Sequence, residues 1–369
     1  MQERARSESW TRRAPIHGHE QFPTAESELI PRIVAVDADA KRLAVEASSL
    51  SRWAARTIDA YVDEVLVCDP RENRLVSRNP HKSDVADAFN LCRLLRLGDL
   101  HRVYQATDDD RAIFKASAQR YIDLRKQHVA LKQKIKATFR RWGVLNIEGS
   151  RLYSTTGRRA YFGRLAHPEI AQQLRSLYQV PDTALDTALD AQKQTKAQML
   201  RLGRAYPEIA VFQEMPGVGP IGVHLFDALI QTPERFATKQ KLWRYCQLGI
   251  RSQTSDGKPL GYEALGYEAL DPSGRSELKA MSYRAWLAAL RHADNEVATF
   301  FEQSLRRTGD RTHARLNTQR KILLTLWALW RHRCAYCPNR FLGSAYGLVG
   351  IEPCASTSRL TRRRSEGPE

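Results

Sequence analysis

Between Lys41 and Asp69 the chain carries an apolar run ending on an acid, a helical stretch, and a second apolar run stopped by proline. Few folds accept that order in so short a span. Lys41-Arg-Leu-Ala-Val-Glu46 has the composition of a buried strand, Ser51 to Ala60 reads as a helix, and Val65-Leu-Val-Cys68 is a strand halted at Asp69-Pro70. Strand, helix and strand at this spacing predict a βαβ unit, with parallel strands joined by a right-handed crossover. Ligands of such sheets lie beyond the carboxyl ends of the strands, which is where Glu46 would stand.

The next helix adds two acids. In His81-Lys-Ser-Asp84-Val-Ala-Asp87-Ala88 the acidic pair opens a run whose apolar residues recur at Val85, Phe89, Cys92 and Leu95, and Gly98 closes it. The spacing predicts a helix from about Ser83 to Leu97. Asp84 and Asp87, three apart, share one face of its first turn. Two carboxylates held that close repel, unless a cation or a shared proton lies between them. The pair alone has two readings: a hard-cation site, or acids that favour the positive end of a helix with no ligand. Glu46 tips the balance. One acid on a strand and two on a following helix is the arrangement of a metal-dependent nuclease or phosphoryl-transfer site, with Glu46, Asp84 and Asp87 as Mg2+ ligands.

Charge narrows the partner. Lys and Arg number 58 against 41 acids, a formal net charge of +17, while apolar residues make up 42% of the 369 and suffice for a real core. Such an excess favours a polyanion, and nucleic acid is the usual one. A membrane surface would call for a basic amphipathic stretch with an aromatic face, and no such stretch or apolar run of about 18 residues is found. The polar N-terminus does not resemble a signal peptide. Six cysteines are scattered, and Cys334-Ala-Tyr-Cys337 lacks a second pair at zinc spacing, so reduced thiols in a cytoplasmic protein are expected.

In chain order, residues 1–24 are polar, basic and patternless, an expected disordered N-terminus. Leu29, Ile33 and Val36 favour a helix within 25–37 despite Pro31. The catalytic α/β region is expected to span 25–105. Residues 106–206 read as a helical arm: one long helix from Asp108 to Trp142, a second from Pro181 to Tyr206, and a basic, tyrosine-bearing loop between. With polar faces and no core of their own, these helices suggest a coiled coil able to dimerise or bind nucleic acid. Residues 207–335 contain Glu214-Met-Pro216-Gly217-Val218-Gly219-Pro-Ile-Gly222, which reads as a helix-hairpin-helix. Its backbone amides suit a phosphate oxygen, so Pro216, Gly217, Val218, Gly219 and Gly222, with Lys82 upstream, are candidate DNA-backbone contacts. A plain turn between two helices also wants glycine. Residues 336–369 form a basic tail expected to be disordered.

Together these regions resemble the transposases of the insertion-sequence 110 family over roughly residues 25 to 335. Glu46 in LAVEAS and the pair in KSDVADA look like the second, third and fourth acids of that family's Asp-Glu-Asp-Asp tetrad, while EMPGVGPIGVHLFDAL followed by FATKQKLWRYCQLGI is similar to its second domain. The resemblance implies a ribonuclease H-like (RuvC-like) N-terminal domain, a coiled-coil arm and a helix-hairpin-helix-containing C-terminal domain, an α/β plus all-α chain. It further implies DNA strand exchange directed by a structured guide RNA, with Ser255 in RSQTSDGK as nucleophile and Mg2+ at the acids. A homo-oligomer in the bacterial cytoplasm, associated with the nucleoid, is expected, and no membrane.

Two departures accompany it. The family's first acid lies on a strand well upstream of the glutamate, yet residues 1–24 contain no aspartate, and Asp37 is too close to Glu46. A truncated N-terminus lacking the first strand is expected. A tandem Gly-Tyr-Glu-Ala-Leu at 261–270 follows Ser255 closely. The alternatives are a RuvC-like, structure-specific nuclease using activated water, or a DNA-binding remnant without chemistry.

Overall fold

A computed structural model describes residues 4–9, 18–69, 84–106, 108–165, 167–251, 254–255, 258–259, 269–292 and 294–343. The chain divides into two compact units, Met1–Thr107 and Asp108–Glu369.

The first unit opens with β1 (Arg4–Ser9) paired antiparallel with β2 (Gly18–Pro23), Arg4 opposite Pro23 and Ser9 opposite Gly18. This corrects the expectation of a patternless N-terminus. Polarity argues against a strand buried on both faces, but not against main-chain pairing, which asks little of side chains. Phe22 supplies the apolar anchor, 2% exposed, with the Arg32 guanidinium 4.6 Å from its ring centre. Arg32 belongs to α1 (Glu26–Val34), which contains Pro31 as expected.

The βαβ unit follows. β3 (Arg42–Glu46) and β4 (Glu64–Cys68) run parallel, with Glu46 opposite Cys68, and α2 (Ser51–Ile58) with a 3-10 turn at Asp59–Tyr61 forms the crossover. Leu66, Val67 and Cys68 are buried. Ala47 N donates to Cys68 O at 2.9 Å from the β3 side, while Val103 N donates to Val67 O at 2.7 Å. Successive carbonyls of a strand point to opposite sides, so the segment around Arg102 lies along β4's other edge. α3 (Asp84–Leu97) packs against β3 and β1.

The second unit is helical. α4 (Asp109–Arg141) starts on Asp108, whose side chain accepts from Asp110 N at 2.9 Å. Its polar, acidic first turn and basic last turn match the helix dipole. Between it and the next long helix, the expected basic loop is a 3-10 turn (Arg151–Tyr153) and α5 (Thr155–Phe162). The partner helix is α6 (Pro168–Leu202), which begins well before Pro181 and carries that proline inside. Ala171 and Leu174 are buried on the same helix as Leu185 and Ala188, so packing extends across the interruption that proline makes in the hydrogen-bond ladder. The arm also has its own core, contrary to expectation: Ile135, Phe139, Leu152, Tyr161, Leu174 and Leu185 belong to one buried cluster.

The remaining elements surround a larger core: α7 (Glu208–Gln213), α8 (Pro220–Ile230), α9 (Lys239–Tyr245), α10 (Ser276–Ala289), α11 (Glu296–Thr308), α12 (Arg311–His332) and α13 (Pro338–Leu342). Every side chain of α8 from Val223 to Ile230 is buried. Short antiparallel pairs join β5 (Ile250–Arg251) to β8 (Ala269–Leu270) and β6 (Thr254–Ser255) to β7 (Lys258–Pro259). The architecture is α/β followed by all-α. Among the described residues no helix is long and apolar enough to cross a membrane.

Candidate functional site

Glu46 is the last residue of β3 and is exposed, at the carboxyl end of the parallel pair. Asp84 and Asp87 fall in the first turn of α3, Asp84 exposed and Asp87 half-buried. Since α3 packs against β3, the three acids sit on adjoining elements of one compact unit. Of the three, Glu46 acts on Cys68: burial first, then the negative charges of Glu46 and Asp69, push its thiol up to about 11. That thiol stays protonated at neutral pH and is no nucleophile. Asp69, which the sequence offered only as a strand stop, therefore shares the carboxyl rim with Glu46. The signal was available, since it follows a buried strand as Glu46 ends one.

Carboxylate oxygens are the right donors for a hard cation such as Mg2+. Among the described residues, however, no three His, Cys, Asp or Glu side chains are gathered closely enough to hold a metal ion. The donor chemistry of Glu46, Asp84 and Asp87 fits magnesium, whereas their spacing in this conformation does not form a ligand set.

Ser255 belongs to the second unit. It ends β6 opposite Lys258 of β7, with two positions between them in sequence. Those two, Asp256 and Gly257, lie outside the described residues, as do Lys82 and most of the Gly-Tyr-Glu-Ala-Leu duplication.

The hairpin joins α7 to α8, and its glycines divide into two kinds. Gly217 has φ +81°, and a Cβ there would stand 2.2 Å from the Ala285 carbonyl oxygen of α10. Both conformation and packing demand glycine at that position. Val218 and Met215 are buried in the main core, Pro216 is half-buried, and Gly222 packs near Met281 of α10. Gly219 alone of the five is exposed, with open space where a Cβ would be. The part of the turn able to meet a phosphate is thus Gly219 and the first amides of α8, where Pro220 supplies none.

Two buried charge clusters lie beyond what the sequence pattern signals. Arg111 of α4 ion-pairs with Glu208 of α7 and with fully buried Asp227 of α8, and its guanidinium lies 3.7 Å from the Tyr206 ring centre. Burial pushes the Asp227 carboxyl well above the usual range, Arg111 pulling the other way. In the arm, Arg158 is 1% exposed, pairs with Asp182 and Asp186 (2.6 Å) of α6, and donates to Leu152 O at 3.0 Å. An aspartate inside the apolar run of α8, and two aspartates four apart on α6, were the available clues. Both clusters join helices and touch no candidate catalytic residue.

No protein-family model matches the chain, and no curated protein matches it.

Proposed function

We propose that this chain is a DNA transposase or site-specific recombinase, guided by a structured RNA, in which an N-terminal ribonuclease H-like domain works with a serine from the helical unit. The observation that carries the reading is the parallel β3–β4 pair with Glu46 at its carboxyl end and the Asp84/Asp87 helix packed on β3. One acid at a strand end and two on the adjoining helix offer phosphate chemistry a donor set that a helix face alone does not. The net charge of +17 suits both nucleic acids.

In this reading the Ser255 hydroxyl attacks a DNA phosphorus, one P–O ester bond breaks as the serine ester forms, and the serine proton passes to solvent while the departing oxygen takes one up. Attack on that ester by a hydroxyl of the incoming strand returns the serine and joins the new strand. Glu46, Asp84 and Asp87 carry the oxygen donors that a hard cation would use, and holding one to neutralise charge at the phosphate would require these segments to draw closer together than they stand here.

The test uses full-length protein, Mg2+, RNA transcribed from the DNA flanking its gene, and labelled DNA carrying those flanks. A protease-sensitive protein–DNA adduct that resists denaturing electrophoresis is expected, lost in Ser255→Ala and reduced to background by Asp87→Asn or by chelating the metal. Strand cleavage that persists in Ser255→Ala without any adduct would refute the recombinase and support a hydrolytic nuclease. DNA binding with neither product would support a remnant without chemistry.

A further inference from the structure

α10 crosses the surface of the second unit with cations on both flanks. On one flank is Lys279, with Tyr283 four residues on and so its neighbour toward the middle of the face, and Arg315 of α12 stands with its guanidinium 5.6 Å from the Tyr283 ring centre. On the other are Arg284 and, from α4, Arg125. Between the flanks the outward positions are Ala280, Tyr283 and Leu287, the last two each 39% exposed. Among the described residues no carboxylate ion-pairs with Lys279, Arg284, Arg315 or Arg125. The acid on this helix, Glu277, is taken by Lys126 at 2.7 Å.

The arrangement is held in place from both sides. Gln319 of α12 donates to Lys279 O and Ser282 Oγ, each at 3.0 Å, while Arg275 donates to Gln119 of α4 at 3.1 Å. Tyr283 rests on Trp286 with ring centres 5.4 Å apart. Arg315 Nε is buried with no hydrogen-bond partner. Like charges fixed this close repel: burial, then Arg315, lowers the Lys279 ammonium, and burial, then Arg125, lowers the Arg284 guanidinium. An anion bound there would relieve that repulsion.

We infer that the outward face of α10 is a docking strip for a single DNA strand, with Lys279, Arg315, Arg284 and Arg125 on its phosphates and Tyr283 under an unpaired base. An exposed ring backed by arginine is a stacking platform, which needs a base free of its partner, whereas duplex would present only phosphates. The helix is 14 residues and about 20 Å long, room for several phosphates. The choice of DNA over RNA rests on the proposed strand exchange, which separates DNA strands.

The test is fluorescence anisotropy of the full-length protein with a labelled oligodeoxynucleotide, its duplex, and the RNA strand of the same sequence. The Lys279→Ala/Arg315→Ala double variant is expected to bind the DNA strand at least tenfold more weakly. Its slope of log affinity against log salt should flatten by about 1.4, because two phosphates keep their counterions when those cations are removed. Tyr283→Ala should weaken the single strand about tenfold, with Tyr283→Phe near wild type and duplex affinity unmoved. Circular dichroism and thermal melts confirm folding, and Arg306→Ala/Arg307→Ala on α11 controls for bulk charge. Unchanged affinity in the double variant, or an equal loss in the control, overturns the strip. Equal loss of duplex binding in Tyr283→Ala overturns the single-strand assignment, and tighter binding of the RNA strand overturns DNA. A protein that forms no serine adduct yet shows the expected losses would sink the strand-exchange reading and sustain the strip.

Discussion

His224 shows how a residue can be structural yet report on pH. It is 5% exposed within α8, and its Nδ1 lies 2.7 Å from Pro220 O. Burial lowers its pKa from 6.5, outweighing the backbone carbonyls of Pro220 and Leu200, which favour the charged form. His128 of α4 is lowered too, by burial and then by Lys132 and Arg125. A lowered histidine means that the unfolded chain binds more protons as pH falls below about 6.5, so stability present above that value is lost on acidification. The urea midpoint of the helical unit is expected to be lower at pH 5.5 than at pH 7.5, with the difference shrinking in His224→Asn. Equal midpoints at both values would show that these imidazoles accept protons in the fold, and an undiminished drop in the variant would assign the loss to groups other than His224.

At the level of elements, the α7–α8 hairpin separates what glycine does for folding from what it does for a ligand. Gly217→Ala places a Cβ against Ala285 O at a positive φ, and is expected to cost about 2–4 kcal/mol, read from urea denaturation. Gly219→Ala, with ordinary φ and open space, should leave stability within about 0.5 kcal/mol. Comparable losses in both would mean that the turn is not held as described. Sequence could signal glycines, a turn and two helices here, because local backbone geometry is written in local residues. It could not say which glycine faces α10, because Ala285 lies far along the chain. The same distinction runs through the molecule. The βαβ unit, α3 and both capped ends of α4 were legible from period and caps. The N-terminal hairpin was not, since main-chain pairing leaves no side-chain pattern in Arg4–Ser9. α5 reads as a basic loop in sequence because the acids that bury Arg158 stand on α6, where they look like surface charge. At the candidate site Glu46, Asp84 and Asp87 were findable from strand and helix ends, while Asp69 was hidden behind its role before proline.

Across the whole molecule the two units differ in what holds them. Among the described residues of the first unit few apolar side chains are buried, among them Phe22, Ile58, Leu66, Val67 and Leu95, and β3 is only half-buried. The second has the large core in which α8 and most of α12 are enclosed, plus the arm's own cluster. Burial of apolar area dominates folding free energy, and small cores are marginal because surface grows slowly against volume. The two units should therefore not open together. Amides of β3 and β4 are expected to exchange with deuterium well before those of α8 and α12, and calorimetry should resolve more than one transition. This matters for the proposed chemistry, because Glu46, Asp84 and Asp87 stand in the less stable unit. A partner that orders them, nucleic acid or metal, would stabilise that unit alone, by an amount set by its concentration over its dissociation constant. Adding Mg2+ and DNA should slow exchange in β3, β4 and α3 selectively. Protection that rises only in α8 and α12 would mean that these ligands bind the helical unit and leave the acids untouched.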